Sequence, residues 1–161
     1  LKAGILIISD KGWRGERRDK SGPILVRFLE EEIGAEVVGP EIIPDEEEII
    51  SSRLIDFVEK GCALVLTSGG TGVGPRDVTP EATRKVITRE VPGIAEGMRI
   101  FSFSKTPFAL ISRGICGIRE RTLIINLPGS PKAVSESIEI LSKIIPHTLS
   151  VLKGEEGHPQ C

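Results

Sequence analysis

A chain of 161 residues, 39% apolar and 27% charged, has room for one hydrophobic core but not two, and at this size the core needs neither disulfides nor a structural metal. A net charge of −2, with the densest basic segment (Arg14, Arg17, Arg18, Lys20) broken by Glu16 and Asp19, is not the footprint of a nucleic-acid binder, and no apolar run approaches the roughly 20 residues of a membrane span. Widely spaced Cys62, Cys116 and Cys161, with His147 and His158, form no zinc or redox motif; free thiols in a reducing cytoplasm are expected, and no signal peptide is visible.

Tyr is absent and aromatics make up 4%, so the core must be built from Ile, Leu and Val, which favours parallel strands covered by helices. Ala3 to Ser9 (AGILIIS) predicts a buried first strand ending at Asp10. The polar stretch to Lys20 reads as a loop, its basic cluster either exposed or one wall of a site for a small anion. Ser21-Gly22-Pro23 opens a helix with Leu25, Phe28, Leu29 and Ile33 at helical spacing, stopped by Gly34. Glu36 to Ile43 predicts a second strand, placed at an edge or bulged because Gly39-Pro40 interrupts it. An acidic helix runs from Glu46 to Lys60, with Ile50, Leu54, Phe57 and Val58 on one face and Asp45 as N-cap. Cys62 to Thr67 (CALVLT) is the third strand. Thr79-Pro80 then caps a helix over Glu81 to Arg89, Gly93 to Phe103 forms a shorter one, and Arg121 to Leu127 is the last clear strand. Ser130-Pro131 caps a long helix carrying Val134, Ile138, Leu141, Ile145, Leu149 and Leu152 on one face, which Pro146 should kink or divide. Residues 1–152 are expected to form one domain and residues 153–161 a loose tail.

This alternation predicts an α/β three-layer sandwich with a mainly parallel central sheet. Ligands on such sheets sit beyond the carboxyl ends of the strands, where the topology switches. The turns after Ser9, Thr67 and Leu127 all leave such ends, and all are rich in Gly, Ser, Thr, Asp or Pro. A site is therefore expected there.

Thr67 to Thr83 (TSGGTGVGPRDVTPEAT) holds four glycines within six residues. They free the main chain to aim several N–H groups at one point, and Thr67, Ser68 and Thr71 add hydroxyls, so the loop suits a phosphate. It is not a Walker A loop, because Pro75-Arg76 stands where Lys and a hydroxyl residue are required. Nor does it carry the glycine spacing of a dinucleotide fingerprint. The adjacent Arg76-Asp77 pair suits a phosphate with its Mg²⁺.

Thr67 to Glu81 resembles throughout the T-[ST]-G-G-T-G-x-x-x-R-D-V-T-P-E signature of the molybdopterin adenylyltransferases, the Mog/MoaB family. Leu110 to Val134 (LISRGICGIRERTLIINLPGSPKAV) is similar to that family's S-R-x-x-x-G and N-L-P-G-[SN]-P blocks. Ser9-Asp10, Ser21-Gly22-Pro23, Pro44-Asp45-Glu46 and Gly93 to Arg99 correspond as well, so the likeness runs from about Ala3 to Leu152.

The resemblance implies a molybdopterin-binding, Mog-like fold, a cytoplasmic location and a homo-oligomer, trimer or pair of trimers. It implies adenylyl transfer from Mg-ATP to the terminal phosphate of molybdopterin, with release of pyrophosphate, and the pathway's metal-insertion enzyme as a candidate partner. It carries Asp45 and Asp77 over as two essential, metal-binding aspartates and Ser112 as a pterin-side residue. Thr67, Ser68, Gly69, Gly70, Thr71 and Gly72 fall in the nucleotide and phosphate loop; Ser9 and Asp10, with Asn126, Pro128, Gly129 and Ser130, fall in the remaining blocks around the site. Arg76 and Arg113 are added here as candidate holders of the pterin phosphate or pyrophosphate, on charge alone. The alternative is a molybdopterin-binding or carrier protein of the same pathway without adenylyltransferase activity.

Overall fold

The computed structural model describes residues 1–155; His158, Cys161 and most of the expected tail lie outside the described residues. One sheet contains β1 (Lys2–Ile8), β2 (Glu36–Ile43), β3 (Leu64–Ser68), β4 (Arg89–Glu90), β5 (Cys116–Arg119) and β6 (Thr122–Leu127), in the spatial order β2-β1-β3-β6-β5-β4. The α-helices are α1 (Asp10–Trp13), α2 (Ser21–Arg27), α3 (Glu47–Glu59), α4 (Thr79–Val86), α5 (Pro92–Phe103) and α6 (Pro131–Lys153). A π-helical turn, Phe28–Glu32, continues α2, and a 3₁₀ turn, Pro107–Ile111, follows α5.

Side-chain alternation builds the three layers. On β1, Ala3, Ile5 and Ile7 face one core, which α2, α5 and α6 complete through Leu25, Met98, Leu141 and Ile145. Leu6 and Ile8 face the other, completed by Ile50, Leu54 and Phe57 of α3 and by Ala82 and Val86 of α4. Both faces are buried, so a one-residue slip of β1 would only exchange one core for the other. The register is held instead by Gly4, where a Cβ would come within 2.6 Å of the Phe57 ring.

The expected mainly parallel sheet is present: β2–β1, β1–β3 and β3–β6 run parallel. An antiparallel edge, β6–β5–β4, was not foreseen. Its signal is weak in sequence because β5 carries Gly117, which a Cβ would push to 2.5 Å from Ile87. The turn into β6 also places Glu120 at φ 54, where hairpins usually advertise themselves with Gly or Asn. β2 lies at the opposite edge, and its pairing shifts between Gly4 and Leu6, across from the cis Gly39-Pro40 bond.

Three local expectations are corrected. Asp45 does not cap α3, whose N-cap is Glu46, without a side-chain bond. Thr79 lies inside α4 rather than at its cap, and its hydroxyl donates instead to the Gly69 carbonyl at 2.9 Å. Of the two outcomes expected at Pro146, a kink or a division, the division does not occur: α6 continues through it. A mid-helix proline costs about 3 kcal/mol, and buried Leu141, Ile145 and Leu149, each contributing roughly 1.5–3 kcal/mol, outweigh it.

Candidate functional site

The four parallel strands deliver their carboxyl ends to one rim. The chain leaves β1 toward α2 on one face and leaves β3 toward α4 on the other, so a crevice opens between those strands. The turns after β2 and β6 flank it. Ser9, rather than starting an open loop, caps α1 by accepting from the Gly12 N–H at 3.0 Å.

The glycine-rich turn is pressed against its neighbours. Gly69 has φ +103, and a Cβ on it would lie 2.2 Å from the Ile8 carbonyl oxygen. Gly70 has φ +66, with Thr79 Oγ1 and Asp45 Oδ1 at 2.3 and 2.9 Å from the place of a Cβ. Only glycine fits either position. Buried hydroxyls and amides stitch the turn to the sheet. Ser68 donates to the Pro128 carbonyl at 2.9 Å, and Asn126 Nδ2 reaches Thr67 Oγ1 and Thr83 Oγ1, both at 3.0 Å. Thr67 was expected to offer its hydroxyl to a ligand, but it is wholly buried and lines neither cavity of the site.

Asp10 and Asp45 meet beside this turn, with Asp77 near enough for its charge to act on Asp45. Asp10 and Asp45 exchange bonds across the β1 and β2 ends: Asp45 Oδ2 accepts from the Asp10 N–H at 2.9 Å, and Asp10 Oδ1 accepts from the Asp45 N–H at 3.0 Å. Arg76 forks onto both oxygens of Asp10 and also reaches Glu46. That hydrogen-bonded guanidinium holds the Asp10 carboxyl below its ordinary range. Asp45 moves the opposite way. Burial pushes it up, and the charges of Asp10 and Asp77 add to the shift despite the Asp10 N–H. Asp77 Oδ2 accepts from the Gly74 N–H at 2.9 Å.

The two arginines expected to hold phosphate are engaged elsewhere. Arg76 is committed to Asp10 and Glu46, and Arg113 turns inward against the glycine-rich segment. Arg113 donates to the Gly72 carbonyl at 2.6 Å and the Asp77 carbonyl at 2.8 Å, its own N–H meets the Thr71 carbonyl at 2.7 Å, and its last nitrogen pairs with Glu81. That pair holds the Glu81 carboxyl below its ordinary value. Neither arginine lines a cavity.

Two cavities open at the rim, of about 520 and 610 Å³. The smaller is walled by Met98, Phe108, Ala109 and Ile111 and includes Thr71, Gly72, Ser112, Asn126 and Pro128, with Arg99 as its one cation. The larger holds Ser9, Asp45, Ser68 and Gly69 and is walled by Arg17, Arg18 and Lys20. Gly70, Asp77, Gly129 and Ser130 border both, so Asp77 stands at their junction. Of the expected residues, Asp10, Thr67, Arg76 and Arg113 border neither. The sequence left the basic cluster as either an exposed loop or one wall of an anion site; Arg17, Arg18 and Lys20 are exposed and also line the larger cavity. The sequence offered no signal for the apolar wall, whose residues sit on α5 and an irregular turn.

Among the described residues no three His, Cys, Asp or Glu side chains converge on one point. Asp45, half-buried with its carboxyl pushed up, and Asp77 beside it have no cation bonded to either, and such a pair suits Mg²⁺, which is held by one or two carboxylates and by the phosphates it accompanies. Cys62 and Cys116 are free and buried, and burial pushes the Cys116 thiol up to about 12. No helix of the described residues is long and apolar enough to cross a membrane.

A family model described as a probable molybdopterin binding domain matches residues 4–147. The molybdopterin adenylyltransferase of Haemophilus influenzae is 44% identical over 145 residues, which cover 86% of this chain and 72% of that protein. The Drosophila melanogaster molybdenum cofactor synthesis protein cinnamon is 42% identical over 150 residues, 92% of this chain. The chain spans only 25% of that longer relative. Among solved structures, the molybdopterin biosynthesis enzyme MoaB of Thermus thermophilus superposes with a TM-score of 0.89 at 49% identity, covering 95% of this chain and 96% of that one.

Proposed function

Because the chain belongs to this family of molybdopterin-binding domains, we propose that it transfers the adenylyl group of Mg-ATP to the terminal phosphate of molybdopterin and releases pyrophosphate. The observation that carries the reading is the position of Asp77, at the one border shared by an apolar cavity and a cation-lined one. The apolar cavity suits a flat ring system bearing a single phosphate. The cavity beside Arg17, Arg18 and Lys20 suits a triphosphate.

In this arrangement the pterin phosphate oxygen attacks the α-phosphorus of ATP, and the bond from that phosphorus to the pyrophosphate oxygen breaks. No covalent help from the protein is needed; the protein brings two polyanions into line and offsets their charge. Asp77 and Asp45 are the residues that would hold Mg²⁺, which when bound neutralises charge on the phosphates. The Gly69 N–H is spent on the Leu127 carbonyl at 3.1 Å, so the main chain at Gly70 and Gly72 presents the N–H donors toward the transferred group, with Ser9, Ser68, Thr71, Gly129 and Ser130 around it. Ser112 lines the pterin side. Arg113 keeps the Thr71–Asp77 segment in place.

Cytoplasmic location, one domain over residues 1–152 and homo-oligomeric assembly, as a trimer or pair of trimers, belong to the same proposal. Exposed Ile100, Phe103, Phe108, Leu110 and Ile111, five large apolar side chains within twelve residues on α5 and the turn after it, favour assembly. The adenylated product would pass to the metal-insertion enzyme.

The test is incubation with molybdopterin, Mg²⁺ and ATP labelled at the α-phosphate. Label should appear on the pterin together with one pyrophosphate per adenylated molecule. Binding of molybdopterin without transfer of label would defeat the proposal and leave a carrier.

A further inference from the structure

We propose that Glu136 is the residue that recognises the pterin ring, by accepting from its 2-amino group and the adjacent ring N–H. The inference rests on the placement of the pterin in the apolar cavity.

Glu136 sits on α6 and is only 7% exposed, yet it lines that cavity. It makes no hydrogen bond or ion pair with any described residue. Among the described residues, the one sealed side-chain polar atom without a partner is Glu81 Oε2, so the Glu136 oxygens are not sealed. The side chain carrying them lines the cavity. None of the neighbouring polar groups turns to Glu136. Neighbouring Ser137 donates to its own helix, at Ala133, at 2.9 Å. Arg99 spends a nitrogen on the Gly114 carbonyl at 2.7 Å, and Lys105 pairs with Glu139 at 3.3 Å.

Burying a carboxyl group without a partner is unfavourable, so an unpaired one facing a cavity asks for a ligand. An ionised carboxylate accepts hydrogen bonds and donates none. The occupant of this end must therefore present donors, best as two parallel N–H bonds. A 2-amino-4-oxopyrimidine ring has that edge. A phosphate does not, and is repelled. Adenine sets an acceptor nitrogen beside its amino group, so it also meets Glu136 badly. One side chain thus directs the ring inward and the phosphate outward to the Asp77 junction, and it keeps the adenine of ATP out of the pterin cavity.

The test compares wild type, Glu136→Gln and Glu136→Ala in molybdopterin binding, followed by fluorescence without ATP, and in Mg-ATP binding. Molybdopterin affinity should fall at least about tenfold in both variants, as expected for a lost charge-assisted pair, while Mg-ATP affinity stays put. Glu136→Gln should melt no lower than wild type, because it keeps the side chain's shape and removes a carboxyl that has no partner among the described residues. As a readout that a packing role would not move, a simple 2-amino-4-oxo pterin should compete with molybdopterin better than the matching 2,4-dioxopteridine in wild type, and equally in Glu136→Gln. Unchanged molybdopterin affinity in Glu136→Gln, a loss shared with Mg-ATP, or no such preference in wild type would each overturn the proposal. A wild type that binds molybdopterin but transfers no adenylyl group would instead defeat the reaction proposed above and leave this inference standing.

Discussion

Replacing Arg113 with Met keeps the side chain's length and removes every donor it offers. In the native protein its guanidinium bonds the carbonyls of Gly72 at 2.6 Å and Asp77 at 2.8 Å and pairs with Glu81. A charge-assisted bond is worth about 1.5–3 kcal/mol, and because 35% of the Arg113 side chain is exposed, the lower end applies. Two such bonds give about 3 kcal/mol. The Glu81 pair, exposed at both ends, adds at most about 1 kcal/mol. A loss of about 3–4 kcal/mol in a chain of this size lowers Tm by about 10 °C. Differential scanning calorimetry reads that shift. Adding Glu81→Gln should recover part of it, because the single variant strands a carboxylate whose Oε2 is already sealed without a partner. The freed Thr71–Asp77 segment should also raise the Mg²⁺ concentration for half-maximal adenylyl transfer by on the order of tenfold, the usual consequence of disturbing what orients a metal-binding residue. A variant that melts with wild type and keeps its Mg²⁺ requirement refutes the reasoning.

Asp77→Asn should fold normally, since an amide oxygen can still accept from Gly74, and should bind molybdopterin. Turnover should drop by on the order of 10²–10³-fold as the charge at the junction is lost, and full activity in a single-turnover assay would remove Asp77 from the mechanism. Gly69→Ala should cost about 3 kcal/mol or more in urea unfolding, because the clash at 2.2 Å is with backbone. Gly15→Ala, at φ +75 in open space, should cost only about 1–2 kcal/mol; equal losses would contradict this. Asp10 and Glu81, held low by Arg76 and Arg113, bind fewer protons folded than unfolded as they titrate. Their stabilisation is complete above the ordinary carboxylate range and disappears as pH falls below about 4, and Glu81→Gln should flatten that loss in acid melts. Asp45 is held high, chiefly by burial, so the acid limb of Mg²⁺ binding to the free protein should lie above the ordinary aspartate value. A limb at that value would argue against Asp45 as a group that must be ionised.

What the sequence by itself determined is what local pattern can carry. Apolar runs at β1, β3 and β6, the helical stripe of α6 and the turns at the strand ends follow from periodicity and from Gly, Pro and hydroxyl placement. Four of the strands run parallel, which is enough to send those turns to one rim. Only the tertiary structure decided the rest, because it depends on residues far apart in the chain. β4 and β5 exist as strands through pairing, with no hairpin signal of their own. Asp45, a plausible helix cap by spacing, instead exchanges bonds with Asp10. Arg76 and Arg113 looked like phosphate ligands because charge is visible in a sequence, but direction is not: each is bonded to carboxylates or carbonyls of the protein itself. Glu136 shows the converse. On a helical pattern it is an ordinary polar residue of α6, and only the tertiary packing leaves it buried, without a partner for its carboxyl and lining a cavity.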